Sequence, residues 1–79
     1  MIWYYEKLAE DDDSVIYAYR PNKKDAEPGE IMYAKKKNDD PVILKAAPGD
    51  NDFAASWASG HFLKVVKDGF PDKRMVMIG

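Results

Sequence analysis

The sequence predicts an α+β fold, in which an antiparallel meander of four to five strands carries one amphipathic helix on one face. Two observations predict it. Segments rich in β-branched and aromatic residues alternate with short polar turns, as is typical of a meander sheet. A single stretch, at about 51–68, repeats its apolar residues with the period of a helix. Because the chain has 79 residues, we expect one small domain spanning 1–79, with the order β-β-β-β-α-β.

The first two strands are predicted over residues 2–8 and 14–20. Both contain the β-branched and aromatic side chains that fit a pleated surface. The acidic stretch 9–13 between them is a polar turn, so the pair is a hairpin. The following segment, 21–29, contains two prolines and a glycine and is predicted to be a loop.

A second hairpin is predicted from residues 30–36 and 42–47. Residues 38–41, Asn-Asp-Asp-Pro, close it, because Asn and Asp side chains hydrogen-bond to their own backbone in turns. Pro41 also disfavours a helical conformation in the residue before it. The four strands therefore follow one another as a meander.

The helix is predicted to begin after residues 48–52, Pro-Gly-Asp-Asn-Asp, which offer several N-cap side chains such as Asp50 and Asp52. It should end at Gly69, which suits the left-handed position after a helix, and Phe70 can then reach back to Val65. Its apolar face combines alanines with larger residues, namely Phe53, Ala54, Trp57, Ala58, His61, Phe62, Val65 and Val66.

Residues 74–78, Arg-Met-Val-Met-Ile, are predicted to form the last strand. If the first four strands alternate in direction, the helix returns the chain to the starting end. The last strand then runs antiparallel to the first and pairs beside it. The predicted strand order is 5-1-2-3-4.

Both faces of the predicted sheet carry apolar side chains, although one helix covers one face. Small side chains such as Ala18 and Ala34 allow a helix to approach closely, so we expect their face to be the covered one. Ile16 and Met32 belong to the same face. The other face is then predicted to point outward as a candidate interaction face, formed by Trp3, Tyr5, Tyr17, Tyr19, Ile31 and Tyr33.

An outward aromatic face has several interpretations. Tyrosine is enriched at interfaces because it offers a stiff, amphipathic surface, so the face could bind a second copy of the chain or another partner. The tyrosines could instead form cross-strand ladders worth about 0.2–1 kcal/mol per pair. A strongly curled sheet could also bury part of both faces. The leading hypothesis is a small intracellular protein-interaction or self-association module.

Composition limits the compartments and the ligand classes that we expect for this protein. The net charge of -2 gives no general attraction to nucleic acid or anionic lipid. The absence of cysteine excludes disulfides and thiolate chemistry. Neither a signal sequence nor an apolar run long enough to cross a membrane is evident, so we expect a cytoplasmic protein with no bound cofactor or metal.

His61 is the only histidine and is the centre of an enzyme or sensor hypothesis. The sequence identifies no residue that would orient it, so we favour a structural histidine at the edge of the core and no enzymatic activity. Gly60 is costly inside a helix. Together with Ser56, one turn earlier, it forms a narrow strip on which a second helix could dock, although a tolerated glycine is the simpler interpretation.

Two charged runs are also candidates. The run Lys35-Lys36-Lys37, beside sheet tyrosines, suggests a single-stranded nucleic-acid binder, but Asp39 and Asp40 follow it closely and we expect it to protect a sheet edge. The acidic run at 10–13 lacks the alternating ligands of a calcium loop and is predicted to be a solvated hairpin tip. Asp50 and Asp52 are better explained as helix caps than as paired catalytic carboxylates.

Overall fold

The protein folds as a five-stranded antiparallel sheet with one helix packed against it, as the sequence predicts. The computed structural model describes residues 2–22, 24–36, 40–48 and 52–77, with the backbone alone over 52–56. The elements are β1 (Ile2–Glu10), β2 (Ser14–Pro21), β3 (Gly29–Ala34), β4 (Val42–Lys45), α1 (Asp52–Lys67) and β5 (Lys73–Met77).

The strands lie in the order β4-β3-β2-β1-β5, which confirms the predicted order read from the opposite edge. Every neighbouring pair is antiparallel. The return through α1 therefore places β5 beside β1, with Trp3 opposite Val76. A bulge between Lys7 and Ala9 leaves Leu8 without a cross-strand partner in the β1–β2 pair.

The C-terminal end of α1 has the predicted geometry. Gly69 has φ 81°, the left-handed conformation that glycine adopts without a steric penalty. The Phe70 amide donates to the Val65 carbonyl at 3.2 Å, and the Gly69 amide donates to the Val66 carbonyl at 3.1 Å. This pair of bonds is a Schellman motif, which satisfies carbonyls that the helix end leaves without partners. The predicted N-cap residue Asp50 and the side chain of Asp52 lie outside the described residues.

The core lies between α1 and the aromatic face of the sheet. Phe62 lies at its centre, with its ring centroid 5.6 Å from that of Tyr5, 5.2 Å from that of Tyr17 and 6.2 Å from that of Tyr33. The prediction that this face points outward is wrong. All six residues of the candidate interaction face are at most 4% exposed, namely Trp3, Tyr5, Tyr17, Tyr19, Ile31 and Tyr33.

The helix covers the aromatic face because that face gains more from burial. A buried aromatic side chain removes about 150–250 Å² from water, far more than an alanine does. The tyrosine hydroxyls also find partners in α1 and in the segments that precede and follow it. Tyr5 donates to the Ala58 carbonyl at 2.7 Å, Tyr17 donates to the Pro71 carbonyl, and Tyr19 accepts from the Ala47 amide at 3.0 Å. Burial therefore leaves these polar tips satisfied.

Candidate interaction surface on the open sheet face

The side of the sheet that faces away from α1 is the open face, and its side chains fall into rows across the strands. One row contains Met75, Tyr4 and Arg20. The next row is charged over most of its length and contains Lys73, Glu6, Ala18, Glu30 and Lys45. A third row is aliphatic and contains Ile16, Met32 and Val42.

An aliphatic patch covers the part of the open face that β2, β3, β4 and the bulge of β1 form. Leu8 at the β1 bulge is 53% exposed, Val42 is 51% exposed, and Leu44 is 48% exposed. Ile16 and Met32 are half-buried between them. Exposed apolar side chains that adjoin one another are typical of binding surfaces, whereas scattered ones are ordinary. We call these five residues the aliphatic patch.

The charged row borders the aliphatic patch and is unevenly paired. Glu6 lies 3.4 Å from Arg20 and 3.9 Å from Lys73, and its neighbours therefore balance its charge. Lys45 reaches Glu27 at 3.8 Å, at the limit of an ion pair. Within the described residues, Glu30 forms no ion pair, although Lys45 lies opposite it in the sheet. The border of the patch thus holds a half-buried carboxylate beside a largely exposed ammonium.

The aliphatic patch was missed by the sequence analysis. Along β2 and β3 its residues alternate with buried residues of the covered face, so the period of two was visible, but the choice of the covered face was not. A useful signal was present in Val42 and Leu44. They lie on a short strand at the edge of the sheet, where apolar residues have fewer neighbours to cover them.

His61 lies between two tryptophans at the edge of the core. Its ring centroid is 6.2 Å from that of Trp3 and 6.0 Å from that of Trp57. Burial, and to a smaller extent the charge of Lys64, lowers the pKa of His61 below its usual value. The described residues include no cluster of histidine and carboxylate side chains suited to a metal ion.

The strip around Gly60 has open space beside it. A Cβ atom placed on Gly60 would meet no atom within 4 Å outside its own helix backbone and chain neighbours. Among the described residues, no close approach therefore explains the glycine. The side chain of Ser56 lies outside the described residues, so docking of a second helix on the strip stays a prediction.

The lysine run is largely neutralised by carboxylates. The Lys35 ammonium donates to Glu10 and to the Asp11 carbonyl, and the Lys36 ammonium lies 2.8 Å from an Asp13 carboxylate oxygen. Lys37 lies outside the described residues. Because Tyr17, like Tyr19 and Tyr33, is buried, these rings cannot stack on bases in this fold.

The acidic run forms the tip of the first hairpin. One carboxylate oxygen of Asp11 accepts hydrogen bonds from the amides of Asp13 and Ser14, at 2.8 and 2.7 Å. These bonds lower the pKa of Asp11, because they stabilise its charged form. The carboxylate therefore organises the turn, in agreement with the predicted hairpin tip.

Comparison of the chain with models of protein families, with curated proteins and with solved structures gives no match. Within the described part of the chain, no helix combines the length and the apolar character that crossing a bilayer requires.

Proposed function

We propose that this protein is a self-association module, in which two copies pack their open sheet faces together through the aliphatic patch. The observation that carries the proposal is the exposure of Leu8, Val42 and Leu44 beside Ile16 and Met32 on one face. Packing the β3 and β4 part of this patch against a second copy would remove Met32, Val42 and Leu44 from water, which is the main driving force of association.

Charge complementarity favours a second copy of this chain as the occupant. Met32 lies opposite Val42 in the sheet, and Glu30 lies opposite Lys45. A two-fold axis parallel to the strands and between β3 and β4 exchanges the two strands between copies. Met32 of each copy then faces the partner's Val42, and Glu30 faces the partner's Lys45. The contact repeats itself on both sides of the axis, as in isologous dimers.

The area that overlaps in this arrangement limits the expected affinity. With the axis between β3 and β4, only these two strands lie over the partner's, and two strands about 4.8 Å apart and about 20 Å long offer roughly 200 Å² in projection. A standard interface buries about 800 Å² on each partner. We therefore expect a weak dimer, with a dissociation constant of hundreds of micromolar, so that the mass depends on concentration.

The first experiment is sedimentation equilibrium of the whole chain from about 5 to about 500 µM, a range that spans micromolar dissociation constants. We expect a monomer–dimer equilibrium. Val42→Glu should shift it to monomer, because the dimer would bury an unpaired carboxylate. Leu63→Glu is the matched control, since Leu63 is similarly exposed at 45% but lies on α1. A wild-type monomer throughout, or equal effects of the two variants, would overturn the proposal.

A charge-exchange experiment tests the arrangement of the two copies. Glu30→Lys and Lys45→Glu each place like charges in the proposed contact, so each variant alone should be monomeric. An equimolar mixture should form a mixed dimer, because the lysine introduced at position 30 of one chain then faces the glutamate introduced at position 45 of the other. Within each variant chain positions 30 and 45 still carry like charges, so restored internal pairing cannot explain a rescue. If both variants are folded and their mixture stays monomeric, the proposed arrangement is wrong.

We also propose that the protein is located in the cytoplasm, as the sequence predicts. A reducing compartment suits a chain without cysteine. Fractionation of cells that express the tagged protein tests it, and recovery with membranes or in the medium would contradict it.

A further inference from the structure

The open face also carries a cleft that is separate from the aliphatic patch. It is open to solvent and has a volume of about 400 Å³, within the range of small-molecule sites. Tyr4 lies in its lining and has Arg20 as a cross-strand neighbour on one side and Met75 on the other. The loop after β2 contributes Lys24 and Asp25. The position of this loop is fixed in part by Arg20, because the Arg20 Nε donates a hydrogen bond to the Ala26 carbonyl at 2.8 Å.

The cleft is positively charged although the chain as a whole is negatively charged. Its lining includes four cationic residues, Arg20, Lys24, Lys73 and Arg74, and two acidic ones, Glu6 and Asp25. The net charge of the chain is -2. The cleft therefore concentrates positive charge where the overall composition does not, and it favours an anionic ligand.

The existing contacts divide these cations into two groups. Arg74 donates to Asp68 and to the Met75 carbonyl, so its guanidinium is already engaged. Lys73 is 80% exposed and reaches Glu6 at 3.9 Å, a weak contact. Among the described residues, none forms an ion pair with Lys24. Lys24 and Lys73 are therefore the donors available to a ligand.

We propose that this cleft binds a small anion with a planar aromatic portion. The aromatic portion packs on the Tyr4 ring and the Met75 thioether, since both surfaces favour contact with a flat ring. The anionic group lies toward Lys24 and Lys73, whose ammonium groups can donate hydrogen bonds to it. Nucleoside phosphates and aromatic carboxylates share this chemistry. Binding in this cleft does not depend on self-association through the aliphatic patch.

The test is an amide NMR titration of the whole chain with three probes: adenosine monophosphate, adenosine and inorganic phosphate. We expect the monophosphate to shift amides around Tyr4, Arg20 and Met75. Adenosine should bind about tenfold more weakly because it lacks the charge. A benzoate titration then distinguishes a site for any aromatic anion from a site that requires phosphate. No shift at the cleft, or the same shifts with phosphate alone, would overturn the proposal.

Two variants localise the binding. Lys24→Glu should weaken the binding of adenosine monophosphate at least about fivefold, because it replaces an attractive charge with a repulsive one. Lys36→Glu is the control, since Lys36 is also exposed but lies by the other end of the sheet, paired with Asp13. Equal weakening by both variants would indicate nonspecific charge attraction and overturn the site. Repeating the titration with Val42→Glu separates this proposal from the dimer, because that variant leaves the cleft intact.

Discussion

The hydroxyl of Tyr5 donates a hydrogen bond to the backbone carbonyl of Ala58, with an oxygen–oxygen distance of 2.7 Å. The bond joins β1 to α1 inside the core, where Tyr5 is 2% exposed. Its position explains why an aromatic residue with a polar tip can face the helix. The ring contributes apolar area and the hydroxyl meets an acceptor on the helix backbone.

Tyr5→Phe should lower the free energy of unfolding by about 0.5–1.5 kcal/mol, because it removes a buried hydrogen bond and keeps the ring. Urea denaturation followed by circular dichroism measures the change. Tyr4→Phe is the matched control. Tyr4 is half-buried on the open face, so its variant should stay within about 0.5 kcal/mol of wild type. Equal losses in the two variants would contradict the role assigned to the Tyr5 bond.

Alkaline pH should destabilise the fold through its buried tyrosines. Burial raises the pKa of Tyr5 well above its usual value of 10.0, and burial raises that of Tyr17 to about 12. The unfolded chain loses these protons first, so the contribution of these tyrosines to the free energy of unfolding should be constant below about pH 9 and decrease as the pH rises through about 10. Denaturation from pH 8 to about 11.5 checks this sign. In Tyr5→Phe the free energy of unfolding should decrease less steeply with pH. An unchanged slope in that variant would contradict the role assigned to Tyr5.

The same glycine substitution should have opposite effects at two positions. A Cβ on Gly29 would lie 2.4 Å from a ring carbon of Tyr19 and 2.6 Å from the Ala47 nitrogen, so Gly29→Ala should destabilise the protein by about 1–3 kcal/mol. Gly60→Ala should stabilise it by about 0.5–1 kcal/mol, because Gly60 lies inside α1 with open space beside it. Chemical denaturation of both variants tests the contrast. Changes of the same sign would contradict it.

Phe62→Ala should remove about 3–5 kcal/mol, a large share of the stability of a small protein, because it empties the centre of the aromatic core. Loss of near-ultraviolet circular dichroism would report the loss of packing. Leu63→Ala, at the next position of the helix and 45% exposed, should cost less than about 1 kcal/mol. A Phe62→Ala protein with wild-type stability would show that the core is organised elsewhere.

Local signals determined the elements and their order. The Gly69–Pro71 segment predicts the end of the helix because the left-handed Gly69 and the contact between Phe70 and Val65 depend on nearby residues. The strand order followed from the direction of each strand and from the need to return β5 beside β1. These features depend on chain geometry, which can be read along the sequence.

The covered face was decided by the tertiary structure. Alternation along β2 shows that Tyr17 and Ala18 point to opposite sides, but it does not show which side meets the helix. That choice depends on how several rings fit around Phe62 and on acceptors far along the chain, such as Ala58 for Tyr5 and Pro71 for Tyr17. Packing and hydrogen bonds between distant residues settle it, because burying the tyrosines removes more apolar area from water than burying the alanines.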